Sequence, residues 1–227
     1  MALYVISVGG SLIVPNEIDT GFLKEFKQFI EKRINLGDRF IIVTGGGKTC
    51  RKYQQAALEV GNVDDEENDW LGIRVTRLNA HLVKSILKDN ANPNLIKDPE
   101  NDLIDFKEPI LIGAGWKPGW STDFDSVILA KRFNSKNIIN LSDVDYVYDS
   151  DPDKNPNAKP IKHMSWKDFK KLVGDKWKPG LSAPFDPIAS KEAEASNLKV
   201  AILNGKNLDN LENYLDNKEF IGTLIEN

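Results

Sequence analysis

The chain has 227 residues, 41% of them hydrophobic, and its 30 Lys and Arg against 34 Asp and Glu give a formal net charge of −4. This length and composition can form a substantial core and exclude a fibrous or disordered protein. The acidic balance argues against nucleic acid as the main partner and favours a small molecule.

The cysteine content and the apolar runs indicate the cellular compartment of the protein. Cys50 is the single cysteine, so no intramolecular disulfide can form. The N-terminal segment has neither a basic stretch nor a long apolar one, and no apolar run approaches the roughly 20 residues of a membrane helix. We therefore expect a cytoplasmic protein that does not bind a membrane.

Strand-like apolar runs alternate with helical patterns along the chain. The predicted strands are Leu3 to Ser7, Arg39 to Thr44, Glu108 to Ile112, Asn137 to Leu141 and Lys199 to Leu203. Alternation of this kind predicts right-handed βαβ units. The fold class expected is α/β, with a mainly parallel sheet sandwiched between helices.

The first helix is bounded by clear signals. Asp19 or Thr20 can cap its start, and Gly37 suits the left-handed position just beyond its end. Two stretches rich in Pro and Asn, Asn90 to Asn94 and Asp149 to Lys159, are predicted to be loops.

Two further helices follow the second strand. They are predicted over Arg51 to Val60 and from about Trp70 to Leu87. The acidic run between them, Asp64 to Glu67, lacks the ligand spacing of a cation site and is interpreted as a solvated loop.

Three glycine-rich segments each follow a predicted strand and precede a predicted helix. They are Val8 to Ser11, Thr44 to Lys48 and Gly113 to Ser126. Because the carboxyl ends of parallel strands share one edge of a sheet, backbone N–H groups and helix N-termini should converge there. Such an arrangement binds phosphate.

Several familiar motifs are incomplete in this sequence. GGGKT lacks the first glycine of a P-loop, since that position is Ile42. The segment from Asp149 has Lys154 and Pro160 where a calcium loop needs Gly and Glu. His81 and His163 are far apart, which argues against zinc, and no G-x-S-x-G motif is present.

Charged and capping residues accompany the glycine segments. Lys48 and Arg51 lie one helical turn apart near a helix N-terminus, where cations are unfavourable unless an anion is bound. They can therefore face the same phosphates. Ser121, Thr122 and Asp123 form a natural N-cap. Capping alone explains Ser121 or Asp123, so a ligand role for this segment depends on the other glycine segments.

Six segments occur together in one order along nearly the whole chain. They are GGSLIVP, TGGGKTCRKY, LGIRVTRLNA (Leu71 to Ala80), PGWSTD, DVDYVYDSDPDKNPNAKPI and FDPIASKEA (Phe185 to Ala193). This pattern resembles the amino-acid kinase superfamily and, within it, the UMP kinases of the archaeal type.

The resemblance implies a homohexameric enzyme that transfers the γ-phosphate of Mg-ATP to UMP. It implies one domain over residues 1–227, with an acceptor lobe over about 1–134 and an ATP lobe over 135–227. Mg²⁺ would arrive with ATP, and no protein metal site is expected.

The resemblance also implies site residues by position. The ATP-binding residues would be Gly9, Gly10, Ser11, Gly46, Arg51, Ser142, Tyr148 and Asp151. The UMP-binding residues would be Gly45, Asp69, Ala114, Gly115, Trp116, Pro118, Gly119, Trp120, Ser121 and Thr122.

The sequence departs from the family pattern at three places. Ser7 stands where many bacterial members carry a lysine, so Lys48 or Arg51 is expected to be the catalytic cation. Tyr146 replaces a glycine beside the expected nucleotide pocket. Trp116 and Trp120 replace smaller or imidazole side chains and either stack on uracil or pack against a neighbouring subunit.

Other interpretations stay open at this point. A related kinase could act on a small acid, or the chain could be a non-catalytic nucleotide or oxyanion sensor. Asp69 separates the first of these from a UMP kinase, because a carboxylate there suits a ribose. Its alternative role is a helix N-cap.

Overall fold

The computed structural model describes residues 2–152, 154–174 and 183–227. In these residues the strands are β1 (Leu3–Val8), β2 (Arg39–Thr44), β3 (Ala91–Ile96), β4 (Ile110–Gly113), β5 (Asn137–Ser142), β6 (Val147–Tyr148), β7 (Pro160–Ile161), β8 (His163–Ser165), β9 (Lys199–Asn204) and β10 (Thr223–Glu226). The helices are α1 (Gly10–Ile13), α2 (Thr20–Asn35), α3 (Gly47–Val60), α4 (Asp65–Ile86), α5 (Thr122–Arg132), α6 (Trp166–Val173), α7 (Pro187–Ala195) and α8 (Leu208–Leu215).

One sheet of eight strands organises the molecule, in the order β3-β4-β2-β1-β5-β9-β10-β8. All of its neighbouring strands run parallel except β9 and β10, which are antiparallel. The short strands β6 and β7 form a separate antiparallel pair. The five predicted strands and the mainly parallel α/β fold are confirmed.

Core residues cover both faces of this sheet. Along β1, Val5 belongs to one buried apolar cluster and Ile6 to the other, as the two-residue period of a strand requires. The cluster of Ile6 receives apolar side chains from α1, α2, α4 and α8, and that of Val5 receives them from α5, α6 and α7. The sheet is therefore sandwiched between helices.

The first helix agrees with its prediction, but the two helices after β2 begin earlier than predicted. Asp19 caps α2 by accepting the Phe22 N–H at 2.9 Å, and Gly37 has a φ of +95° just beyond its end. Helix α3 begins at Gly47 rather than Arg51, and α4 begins at Asp65 rather than near Trp70.

The acidic run Asp64 to Glu67 is thus not a loop, and that prediction is wrong. Asp64 caps α4 by accepting the Glu67 N–H at 2.8 Å, and the next three acidic residues occupy the first turn. Carboxylates are favourable there because they face the positive end of the helix dipole.

The prediction of a loop over Asn90 to Asn94 is also wrong, because this stretch contributes to β3. This strand lies at the edge of the sheet, pairs only with β4 and has a register shift between Ala91 and Leu95. Pro93, exposed within it, is tolerated because an edge strand leaves N–H positions unpaired. The predicted loop from Asp149 to Lys159 is confirmed outside residue 153, which lies outside the described residues.

Candidate active site

Two of the three glycine segments are in direct backbone contact. A Cβ atom on Gly10 would lie 1.9 Å from the Gly47 nitrogen, and one on Gly45 would lie 2.7 Å from the Gly10 nitrogen. Gly47 has a φ of +66°, a conformation that side-chain-bearing residues rarely adopt. The predicted convergence at one edge of the sheet is confirmed for these two turns, since β1 and β2 are neighbours.

A cleft of about 740 Å³ opens above these turns. Its wall includes Gly9, Gly10, Ser142, Tyr148 and Asp151 of the predicted ATP residues, and Gly45 and Thr122 of the predicted UMP residues. The other predicted residues lie outside this wall: Ser11, Gly46, Lys48, Arg51, Asp69, Ala114, Gly115, Trp116, Pro118, Gly119, Trp120 and Ser121. The cleft therefore brings together mainly the residues predicted for ATP.

Part of the cleft wall is aromatic and apolar. Tyr146 and Tyr148 meet edge to face, with ring centroids 6.4 Å apart. Leu172, Val173 and Pro184 also line the cleft. Tyr146, which replaces the family's glycine, is thus part of the wall, and this surface suits a flat heterocycle.

Asp123 lies in the first turn of α5, where it contacts Ser7 of β1. Ser121 caps α5 as predicted, accepting the Phe124 N–H at 3.2 Å. Asp123 instead accepts the Ser7 hydroxyl at 3.3 Å and the Asp186 N–H at 3.1 Å. Burial and the nearby Asp186 raise the pKa of Asp123 to about 7, although both hydrogen bonds oppose this shift.

A second carboxyl group, Asp186, stands beside it. Asp186 caps α7 by accepting the Ala189 N–H at 2.6 Å, and its Oδ2 has no hydrogen-bond partner among the described residues. Burial raises the pKa of Asp186 as well. Sequence reasoning missed this pair, because capping alone explained Asp123. The feature that could have indicated it is that both residues lie in segments on which the family resemblance rests, PGWSTD and FDPIASKEA.

The two cations predicted to be catalytic do not line the cleft. Lys48 Nζ donates to Asn16 Oδ1 at 2.9 Å on the exposed side of α3, and Arg51 is also exposed. Lys154, which sequence reasoning did not select, does line the cleft and forms an ion pair of 2.8 Å with Asp151.

The loop between β4 and α5, residues 114–121, is fastened to α4. Asp69 Oδ2 accepts the Gly119 N–H at 2.8 Å. Burial raises the pKa of Asp69, and the Gly119 hydrogen bond opposes that shift. Asp69 lies inside α4, whose cap is Asp64, so the alternative interpretation of Asp69 as the N-cap is wrong.

Other α4 side chains hold the glycine segments in place. Asn79 Nδ2 donates to the Gly45 carbonyl at 2.8 Å, and Thr76 Oγ1 accepts the Gly115 N–H at 2.9 Å. Sequence reasoning did not assign these roles. The sequence feature that could have indicated these roles is the set of polar residues on the otherwise apolar face of the helix over Leu71 to Ala80.

The two tryptophans of the 114–121 loop form an aromatic cluster within this chain. Trp116 is only 8% exposed and stacks on Trp120 at a centroid distance of 6.2 Å, and Trp120 contacts Phe124 at 4.1 Å. Lys117 Nζ lies 3.6 Å from the centre of the Trp116 ring. Trp116 thus packs within its own chain, and Trp120 keeps an exposed part. The predicted contacts of these two rings with uracil or with a neighbouring subunit stay predictions.

Across the ranges 2–152, 154–174 and 183–227, no cluster of three or more His, Cys, Asp or Glu side chains is placed to hold a metal ion. Within the same ranges, no helix has the length and apolar character needed to span a bilayer.

Comparison with known proteins agrees with the geometry. The model of the amino acid kinase family matches residues 2–204. Uridylate kinase from Pyrococcus abyssi is 33% identical over 98% of both chains, and the enzyme from Methanocorpusculum labreanum is 32% identical over 100% of this chain and 97% of its own.

Solved structures give the same answer. The crystal structure of uridylate kinase from Archaeoglobus fulgidus superposes with a TM-score of 0.81 at 27% identity, covering 99% of this chain and 100% of its own. The family match, the full-length relatives and the shared fold together show that this chain belongs to the amino acid kinase family.

Proposed function

We propose that the protein is a UMP kinase, which transfers the γ-phosphate of Mg-ATP to UMP and forms UDP and ADP for pyrimidine nucleotide synthesis. The observation that carries this proposal is the pair of interlocked glycine turns at the base of an open cleft. Full-length relatives named uridylate kinase support UMP as the acceptor.

On the ATP side, Gly9, Gly10 and Ser11 are proposed to meet the phosphates, with Gly46 and Arg51 at the neighbouring turn. Backbone donors at two adjoining strand ends suit the several oxygens of a triphosphate. Ser142, Tyr148 and Asp151 would hold the adenosine part, because they line the same cleft as Gly9 and Gly10.

On the UMP side, the proposed residues surround the 114–121 loop. Gly45 would lie next to the transferred group, and Asp69 would accept hydrogen bonds from the ribose hydroxyls. The loop residues Ala114, Gly115, Trp116, Pro118, Gly119, Trp120 and Ser121, with Thr122 at the start of α5, would surround the nucleotide. The lobe boundary near residue 134 then leaves β1 to β4 with UMP and β5 onward with ATP.

Mg²⁺ is proposed to enter as part of the Mg-ATP substrate. A cation that bridges phosphate oxygens offsets the negative charge that develops during transfer. The carboxyl of Asp123 lines the cleft and accepts the hydroxyl of Ser7, two residues before Gly9, so Asp123 is proposed to face such an ion.

The protein cation that assists transfer is proposed to be Arg51 or Lys48, with Lys154 as a further candidate. Lys154 is included because it lines the cleft, whereas Lys48 and Arg51 must reach it from α3.

We also propose that the chain assembles into a homohexamer. Helix α3 buries none of its residues in the single chain, and its Tyr53 and Val60, two turns apart on one side, are 60% and 91% exposed. A large exposed apolar surface of this kind supports contact with a second copy.

The experiment that tests the function is a coupled assay of ADP formation with Mg-ATP and a panel of acceptors. UMP is expected to give far faster turnover than AMP or GMP, and EDTA is expected to stop the reaction. Equal rates with AMP and UMP would contradict the acceptor. ADP formation with a small carboxylic acid alone would favour the related acid kinases, and nucleotide binding without turnover would favour a sensor.

A further inference from the structure

The backbone of Trp116 is held from two sides by side chains of different helices. Its N–H donates to Asp125 Oδ2 of α5 at 3.2 Å. Its carbonyl accepts a hydrogen bond of 2.8 Å from Arg77 Nη2 of α4, and Arg77 Nε donates to the preceding carbonyl, that of Gly115, at 3.1 Å.

Both of these side chains are unusual for their positions. Asp125 is a carboxyl group of α5 buried in the core, and its Oδ1 has no hydrogen-bond partner among the described residues. Arg77 extends its planar guanidinium along the loop so that two of its nitrogens reach two consecutive carbonyls, a geometry that lysine cannot reproduce.

The buried carboxyl of Asp125 and the bidentate guanidinium of Arg77 act on the same short backbone segment, residues 115 and 116. The polar groups of residues 115 and 116 are already satisfied, because Thr76 takes the remaining Gly115 N–H. They do not need a ligand to order them, and the outer part of the loop, from Lys117 to Trp120, starts from a fixed base.

We propose that Arg77 and Asp125 are positioning residues for the acceptor nucleotide: together they fix the 115–116 backbone so that the outer loop is preformed to receive UMP. This inference rests on the proposed function, in which the 114–121 loop surrounds UMP. Neither residue is proposed to touch the reacting atoms. Preformed loops bind more tightly because less conformational freedom is lost on binding.

The test combines substrate binding with hydrogen–deuterium exchange of the loop amides. Asp125→Leu removes the acceptor for the Trp116 N–H, while Asp125→Asn keeps an acceptor oxygen. Arg77→Lys keeps the charge but loses the bidentate contact, and Arg74→Lys, three residues earlier on the exposed side of α4, is the matched control.

We expect Asp125→Leu and Arg77→Lys to speed exchange in residues 114–121 and to raise the calorimetric Kd and the KM for UMP by about tenfold or more. The KM for ATP should stay within about twofold, and Asp125→Asn and Arg74→Lys should resemble wild type in both measurements. If Asp125→Leu fails to fold, Arg77→Lys, which keeps a similar volume and charge, still decides the question.

Unchanged loop exchange in Arg77→Lys, or faster exchange with unchanged UMP affinity, would overturn the inference. Equal increases in the KM values for UMP and ATP would overturn it too, since they indicate a general loss of structure. Failure of the proposed function looks different: wild type itself would form no ADP with UMP, while exchange would still report whether the two side chains order the loop.

Discussion

Gly10 and Gly47 belong to turns after different strands, yet their backbones touch so closely that no Cβ atom fits between them: one built on Gly10 falls 1.9 Å from the Gly47 nitrogen. Each turn therefore packs directly against the other and holds it in place. The spacing between the two sets of backbone donors depends on glycine at both positions.

Gly10→Ala is expected to separate the two turns. Overpacking at such a contact costs about 1–3 kcal/mol of stability, and the shifted turns should lose most of their affinity for ATP. Thermal unfolding and ATP binding by calorimetry measure the two effects. Gly61→Ala is the matched control, because a Cβ there has only ordinary contacts at 3.5 Å, and it should change stability by at most about 0.5 kcal/mol. Wild-type ATP affinity in Gly10→Ala would show that the contact does not set the site.

Asp69→Asn should distinguish a role of Asp69 in binding the UMP ribose from its role in anchoring the 114–121 loop. Asparagine keeps an oxygen that can accept the Gly119 N–H but loses the charge, so the KM for UMP should rise about tenfold or more, with ATP binding and melting temperature little changed. Asp69→Ala, which loses the loop contact too, should be worse. Steady-state kinetics in each substrate give the answer, and an unchanged UMP affinity in Asp69→Asn would leave loop anchoring as the role of Asp69.

Arg51→Ala tests whether an exposed cation on α3 reaches the phosphates. Charge-assisted hydrogen bonds contribute on the order of 1.5–3 kcal/mol, so kcat/KM should fall by roughly 10- to 150-fold. Lys52→Ala, one residue further along the same exposed turn, is the matched control and should retain wild-type activity. If Arg51→Ala also retains it, Lys48→Ala and Lys154→Ala identify the cation instead.

Asp123 should make stability depend on pH. Its pKa is about 7 in the folded chain against an ordinary value of 3.8, so between these values the folded state binds more protons than the unfolded state. The contribution of this group to the free energy of unfolding is thus complete below about pH 4 and declines as the pH rises to about 7. Melting curves of wild type and Asp123→Asn should diverge over this interval, with wild type losing stability relative to the variant. Parallel pH profiles would contradict the raised pKa.

Charged substitutions on α3 test the proposed assembly. Val60→Asp or Tyr53→Asp should lower the molar mass measured by light scattering after gel filtration, because an unpaired charge within an apolar interface is costly. Leu103→Asp places the same charge on a fully exposed leucine outside α3 and should leave the mass unchanged. A monomeric wild type would contradict the hexamer directly.

Periodicity and turn chemistry predicted the framework of the fold well. The strands β1, β2, β4, β5 and β9 are buried apolar runs with few competing interpretations. Strand β3 was missed because Pro93 and three asparagines are typical of loops, and only its place at the sheet edge allows them in a strand. The start of α4 was missed because a run of acids resembles a solvated loop.

The site was predictable where backbone geometry defines it and unpredictable where distant segments meet. Glycine turns are recognisable locally, whereas the environment of Asp123 depends on Ser7, 116 residues away, and on Asp186, 63 residues away. The partners of Trp116 likewise come from two helices. No local pattern at Arg77 or Asp125 specifies that their side chains meet the same peptide.

Strand β1 links the two halves of the central sheet. It is paired along its length with β2, and from Val5 to Val8 with β5, so it joins the half of the sheet proposed for UMP to the half proposed for ATP. A hinge between the halves would unpair backbone groups in the core, which is costly. This pairing therefore resists separation of the two proposed nucleotide-binding halves, so we expect loading and unloading to depend on the segments that border the cleft.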